Sequence, residues 1–247
     1  MHYFTSDLHL GHANIIKYCR RPFQNSTESM LIDLAYKGII PLEELSISID
    51  SVEKMDTQII SSINSVVEKN DQLVILGDFC FGGSQYKEKM VQKYVDLINC
   101  KNITLILGNH DEKDIMTKYF KNVYDYCVFN IYGKNIVTCH YPMRSWYKQN
   151  KSSWMLYGHT HGLLHKKDTE LLSQEEEENL NSILKEFCQD KQIDTTAIID
   201  KYKKSLKPRF TLDVGVDNPV RKNLDFGIPW SFKEIQKYMC KISQAML

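Results

Sequence analysis

A layered α/β domain is the fold class that this 247-residue chain predicts, and three observations carry the expectation. Short apolar runs rich in branched and aromatic residues each end in a cluster of Gly, Asp, Asn or His, the pattern of buried strands that deliver loops at their carboxyl ends. Stretches of helical periodicity separate the early runs. One pair of runs, Val123 to Tyr132 and Asn135 to Cys139, reads as a hairpin turning at Gly133-Lys134, which makes the sheet partly mixed.

Taken in order, the strand-like runs are His2 to Ser6 before Asp7, Gln72 to Leu76 before Gly77-Asp78, and Ile103 to Leu107 before Gly108-Asn109-His110-Asp111. Asn135 to Cys139 before His140 and Ser153 to Tyr157 before Gly158-His159-Thr160-His161 complete the set. Helical spacing marks Ala13 to Cys19, Ser51 to Glu68, Gln85 to Ile98 and Glu112 to Phe120. The stretch from Lys166 to Pro208 differs in character. Ser173 followed by Gln174 and four glutamates, Glu175 to Glu178, suits a helix amino terminus, with Leu180, Ile183, Leu184 and Phe187 at helical spacing behind it. A second helix runs from Thr195 to Leu206 and stops before Pro208, after which Arg209 to Asp213 resumes strand-like composition. Residues 166–208 therefore read as a helical hairpin inserted into a single domain spanning 1–247: a solvated hairpin, or in the sharper reading a cap over the site or a dimer contact.

Composition narrows the partners. With 31 basic and 31 acidic side chains the formal net charge is zero, so any grip on phosphate or nucleic acid must be local. The seven cysteines are odd in number and never form a C-x-x-C pair, which argues against a disulfide framework and against a thiolate zinc knot, and fits a reducing cytoplasm. No basic region followed by an apolar stretch opens the sequence, and no uncharged apolar run is long enough to span a bilayer; the expectation is an unprocessed protein with no membrane partner.

The ends of the strand-like runs supply Asp7 and His9, then Asp78, then Asn109 and His110, then His140, then His159 and His161. These are oxygen and imidazole donors without a thiolate, suited to Mn, Fe, Zn, Ni or Mg. At least seven converge, whereas one tetrahedral ion needs about four ligands, so two divalent metals are implied. Asp7-Leu8-His9 and His159-Thr160-His161 are i, i+2 pairs, which in extended backbone point to one face. Gly77, Gly108 and Gly158 precede donors and permit sharp turns.

As an ordered set, D-x-H, G-D, G-N-H-D, H and G-H-x-H over residues 1–162 resembles the calcineurin-like metallophosphoesterase superfamily, and Thr5 to His12 is similar to its small bacterial and phage members. The resemblance implies a two-sheet β-sandwich flanked by helices, with ligands on loops at the strand ends. It assigns Asp7, His9 and His161 to a first metal and Asn109, His140 and His159 to a second, with Asp78 bridging them. His110 matches the family's catalytic histidine, which is not a ligand but contacts the phosphate and protonates the leaving oxygen. Manganese is the first choice among the metals.

Outside that set, His12 after Gly11 reads equally as a phosphate contact at a helix start and as a cap-region residue. Arg144 is a candidate bidentate phosphate clamp or a surface arginine, and Arg20 and Arg21 are candidates for the mouth of the site. Asp213 and Asp217 are candidates to orient ligands from behind. Cys80 and Cys139 read as packing, and Tyr3, Phe4, Tyr36 and the other aromatics as core rather than a base-stacking platform. One departure stands out. Phosphoprotein phosphatases of the superfamily carry G-D-x-x-D-R-G, and this chain reads Gly77-Asp78-Phe79-Cys80-Phe81-Gly82-Gly83, with Phe81 in place of the aspartate that orients the catalytic histidine. A phosphoprotein substrate is thereby disfavoured, and the residue that orients His110 is left open, with Asp111 as its neighbour in sequence. The favoured reading is a phosphomonoesterase or phosphodiesterase acting on a nucleotide or other small organic phosphate. A nuclease on DNA or RNA is the alternative, and a scaffold without activity comes third because the full donor set and His110 are present.

Overall fold

Two sheets lie face to face in the computed structural model, which describes residues 1–82, 86–164, 174–187, 194–205, 209–221 and 223–244. The first contains β1 (His2–Thr5), β2 (Gln72–Ile75), β3 (Ile103–Ile106), β4 (Asn122–Tyr124) and the short β9 (Trp230–Ser231) in the order β4-β3-β2-β1-β9. Its first four strands are parallel, and β9 closes the edge antiparallel to β1. The second contains β5 (Tyr126–Ile131), β6 (Lys134–Cys139), β7 (Trp154–Tyr157) and β8 (Thr211–Asp213) in sequence order, antiparallel only between β5 and β6.

Strand alternation in the first sheet divides its apolar residues between two cores. Tyr3, Leu73, Ile75, Ile103 and Leu105 face outward from the sandwich and are covered by α3 (Ile49–Val66) and α4 (Lys87–Leu97). Val52, Met55, Ile59 and Ile63 form the buried stripe of α3 at spacings of three and four, one face of a 3.6-residue repeat. Phe4, Val74 and Ile106 point the other way, into a core shared with Ile136, Trp154, Leu156 and Leu212 of the second sheet. Strands buried on both faces explain why these runs are continuously apolar rather than alternating. Three further helices lie along the first half of the chain: α1 (Ala13–Tyr18), α2 (Ser26–Tyr36) and α5 (Lys113–Tyr119). Between the adjacent strands β7 and β8 the chain runs through α6 (Gln174–Phe187) and α7 (Thr195–Ser205), which pack on each other. The proposed cap Ser173, both ends of the 166–208 segment and His165 lie outside the described residues. The last helix, α8 (Phe232–Gln244), buries Ile235 and Met239 against the core between the sheets.

The layered α/β expectation and the two-sheet arrangement are what the structure has, with two local corrections. The run Val123 to Tyr132 is not one strand: it divides at Asp125, so that β4 joins the first sheet and β5 the second. The hairpin turns at Tyr132 (φ 49°) and Gly133 (φ 78°) rather than at Gly133-Lys134, because a two-residue turn matching the strand twist needs positive φ at both central positions. The helices α2 and α8 were not among the stretches read from the sequence, although each opens on a capping pattern. Asn25 and Glu28 form a reciprocal capping box, and Glu234 reaches back to the amide and hydroxyl of Ser231. Among the described residues no helix is long and apolar enough to cross a membrane.

Candidate metal centre

Parallel strands leave their carboxyl ends on one side, and here the loops that follow them continue to pair. Beyond β1 and β2 the amides of Asp7, His9 and Leu10 donate to the carbonyls of Gly77, Asp78 and Phe79 at 3.1, 2.9 and 3.2 Å. In the second sheet Gly158 donates to the carbonyl of His140 at 2.9 Å, and Ser6 bridges to Gly215 after β8, so loops from both sheets are stitched at one point. Five expected donors there have left-handed backbone: Asp7 (φ 56°), His9 (φ 50°), Asp78 (φ 55°), His159 (φ 69°) and His161 (φ 47°). The i, i+2 pairs therefore converge through left-handed turns and not through extended strand, a conformation that non-glycine residues hold only when the surroundings over-determine it. Gly77, itself at φ 92°, lies so close to the His140 imidazole and to Gly108 that a Cβ would collide with both.

The donors cluster tightly. Asp7, His9 and His161 bring ligand atoms within 4.8 Å of one another, and so do Asp7, Asp78 and His140. Asn109 Oδ1 is 3.1 Å from His140 Nε2, and the exposed His159 ring is 5.1 Å from that of His140, so all seven expected ligands meet. His9, Asp78 and His110 form a third such group. The test of fit lies in the buried atoms. His140 donates from Nδ1 to the carbonyl of Leu76 at 2.7 Å, while its Nε2 lies 3.1 Å from Asn109 Oδ1 and 3.5 Å from Asp78 Oδ2. His9 Nε2 is buried without a hydrogen bond, 3.4 Å from the same oxygen. A bare imidazole nitrogen facing a buried carboxylate is costly unless a proton or a cation joins them. Without one, burial pushes the Asp7 carboxyl up, and burial followed by the charge of Arg21 lowers His9 to about 2. Hard oxygens and neutral imidazoles of this kind suit divalent cations.

Residues 3–194 match the calcineurin-like phosphoesterase family. This chain belongs to that family. An uncharacterised protein of Methanocaldococcus jannaschii is 31% identical over 159 residues, 64% of this chain and 68% of its own. A protein of unknown function from Aquifex aeolicus has a solved structure that superposes over 96% of this chain and 98% of its own at TM-score 0.52 and 19% identity, a likeness of fold.

A calcineurin-like phosphoesterase site also needs its ligands held, and here carboxylates behind the donors do this. Asp217 Oδ2 accepts from His161 Nδ1 at 2.7 Å; burial opposes the proton on that ring, but this bond raises it to about 11. Asp213 Oδ2 accepts from Thr160 Oγ1 at 2.7 Å and Gly162 N at 2.9 Å, fixing the turn between His159 and His161, while Asp7 accepts from the His159 amide. Asp111 accepts from the amides of Asp78, Phe79 and Gly108, so it pins the loops after β2 and β3 together and does not reach the His110 ring. His110 is held instead through its backbone: its amide donates to Asp78 Oδ1 at 2.9 Å, and the buried Lys87 donates to its carbonyl at 2.5 Å. Lys87 carries no motif and was invisible in sequence.

The peripheral candidates divide. His12 is in the cluster, 3.3 Å from His9 between Nδ1 atoms and stacked on Phe81. Arg21 is not at the mouth. Its guanidinium is buried and spent on both oxygens of Asp217 and on the carbonyls of Asp7 and Leu8, so it clamps the floor of the site. Arg20 pairs with Asp33 over the Tyr36 ring, away from the donors, and Tyr36 is exposed rather than core. Arg144 is exposed, and its backbone carbonyl accepts from Arg209. Cys80 is buried and its thiol pushed up to about 12 by that burial; Cys19, unremarked in sequence, lies within 4.8 Å of His161 and Asp217.

Proposed function

We propose that the chain is a metal-dependent hydrolase of a phosphomonoester or phosphodiester carried by a nucleotide or another small organic phosphate. The observation that supports this reading best is the bare Nε2 of His9 beside Asp78, inside a buried cluster of donors on a phosphoesterase fold. Asp7, His9 and His161 would hold one cation, Asn109, His140 and His159 the other, and Asp78 both. Two divalent ions, with manganese the first choice, supply there the charge that acidifies water and offsets the charge growing on the phosphate oxygens.

The chain's own residues supply the rest. Asp217 and the Leu76 carbonyl fix which imidazole nitrogen of His161 and of His140 faces inward, and Asp213 holds the turn between His159 and His161. His110 stands beside His9, with ring centroids 5.3 Å apart, and its backbone is fixed by Asp78 and Lys87. From there its imidazole donates a proton to the departing oxygen, a contribution typically on the order of 100- to 10,000-fold.

The testing experiment is turnover of an aryl phosphomonoester and an aryl phosphodiester by the purified protein with Mn²⁺, together with a count of ions per chain. Turnover abolished by chelation and two ions per chain are expected. One ion per chain would remove the bridged pair, and no turnover with any ester in a panel of monoesters, diesters, cyclic nucleotides and single-stranded nucleic acid would end the proposal.

A further inference from the structure

Two aromatic rings at the donor cluster are left in solvent, one at each end. In the loop after β2, Phe79 and Cys80 are fully buried, yet Phe81 is 37% exposed. One face of its ring lies on His12, with centroids 3.9 Å apart and planes 10° apart, and its edge meets His110 at 5.7 Å. Its amide is tied to the Leu10 carbonyl at 2.8 Å. At the other end Tyr141 is 45% exposed, its ring 4.7 Å from His159 and 5.0 Å from His140. Both rings thus touch imidazoles of the proposed site while part of their surface stays open, with the Lys87 ammonium also over the Phe81 ring, 5.9 Å from its centroid.

An exposed ring backed by a rigid neighbour offers a flat apolar surface at little cost in side-chain entropy, and stacking on such a surface suits any base because every base has a π-face. Each ring is one imidazole removed from the place where a phosphoryl group would sit. A flat group stacked on either one would accordingly lie beside that place, where the base of a nucleoside phosphate would need to be. The chain's zero net charge provides no general attraction for a long polyanion, which favours a small ligand.

We propose that Phe81 and Tyr141 are specificity-determining residues, each ring offering a surface at its own end of the site on which the base of a nucleoside phosphate stacks. This rests on the phosphoesterase reading and narrows its substrate class. The test compares nucleoside 5′-phosphates and nucleoside cyclic phosphates with ribose 5-phosphate and 4-nitrophenyl phosphate, using the Mn²⁺-loaded full chain and the variants Phe81→Ala, Phe81→Leu, Tyr141→Ala and Tyr141→Phe. The wild type should have a KM for at least one nucleotide about tenfold or more below that for ribose 5-phosphate. At least one of Phe81→Ala and Tyr141→Ala, the one whose ring carries the base, should raise the ratio of the nucleotide KM to the ribose 5-phosphate KM by roughly 5- to 100-fold, the range expected from the loss of one stacked ring. Tyr141→Phe should keep the ratio. Phe81→Leu preserves an apolar contact with His12 without a ring and should raise it wherever Phe81→Ala does, which separates stacking from a general failure to fold.

Adenosine monophosphate binding to the chelator-treated protein, followed calorimetrically beside inorganic phosphate, gives a readout independent of turnover. Nucleotide binding that weakens in at least one alanine variant, with no ester turned over by the wild type, would leave the stacking intact and sink the phosphoesterase reading. Equal KM for nucleotide and ribose 5-phosphate in the wild type, an unchanged ratio in both alanine variants, or preference for 4-nitrophenyl phosphate over every nucleotide would overturn the proposal.

Discussion

Nδ1 of His161 donates to Asp217 Oδ2 at 2.7 Å, and Arg21, 196 residues earlier in the chain, grips both oxygens of that same carboxylate at 2.9 and 2.8 Å. The relay fixes the tautomer of His161, so that its other nitrogen faces Asp7 and His9. Burial disfavours a charge on Asp217, but the Arg21 guanidinium and the His161 bond outweigh it and hold the carboxyl at about 2. Asp217→Asn keeps the size and loses the charge that Arg21 and His161 share. The expected result is metal affinity weaker by about 10- to 100-fold, with the fold retained, measured by competition with a chelator of known affinity. Unchanged affinity would reduce the relay to a packing feature.

His110 poses a different question, because its ring could act as the acid or, with His9 and Asp78, as a further ligand. Its place in the loop depends on backbone bonds to Asp78 and Lys87, which a side-chain truncation leaves intact. His110→Ala should therefore lower kcat by roughly 100- to 10,000-fold while two ions per chain remain, seen by elemental analysis beside steady-state kinetics. Loss of an ion in this variant would make the ring a ligand and leave the acid to be found.

How much of this was legible in sequence follows from what each residue does. Donors at strand ends could be read because Asp7, Asp78, His140 and His161 each follow an apolar run, and strand then loop is a local pattern. The partners behind them were only partly readable. Asp213 and Asp217 drew notice as acids ending a strand, but that Arg21 faces Asp217 is a contact across 196 residues, and no local pattern encodes it. Asp111 looked like a neighbour of His110 and turned out to bond three amides in two loops, since adjacent side chains on a tight turn diverge. The strand division at Asp125 was hidden because β4 and β5 have similar composition and differ only in which sheet they join.

Gly77 tests whether the site depends on a close backbone crossing. Its φ of 92° disfavours any L side chain, and a Cβ there would also meet the His140 ring and the backbone of Gly108. Gly77→Ala should destabilise the fold by about 2 to 4 kcal/mol, combining a strained dihedral with an overlap against backbone that cannot move aside. Urea unfolding at neutral pH measures it. A loss below about 1 kcal/mol would show that the loops after β2 and β3 can separate at little cost, contrary to their pinning by Asp111.

Glu28 ties two helix starts together, and its charge should make part of the stability depend on pH. Its carboxylate accepts from the amide of Asn25 at 2.8 Å, closing the capping box of α2, and from the Ser48 amide at 2.6 Å and the Ser51 hydroxyl at 2.7 Å at the start of α3. Burial alone would raise its pKa, but these bonds favour the ionised form and bring it below the ordinary 4.5. A depressed carboxylate stabilises the fold fully above its unfolded pKa, and the contribution fades as pH falls through the lower folded value. Glu28→Gln keeps the shape while replacing charge-assisted bonds with weaker ones, and one amide oxygen cannot accept all that two carboxylate oxygens did. The variant should be less stable by about 1 to 2 kcal/mol at pH 7 and at pH 5.5 alike. Between about pH 4.5 and 3 the gap should narrow, since the wild-type side chain becomes protonated there and loses the same advantage. Urea titrations at pH 7, 5.5 and 3.5 read the gap directly, and one that stays constant through the acid range would mean that shape rather than charge joins α2 to α3.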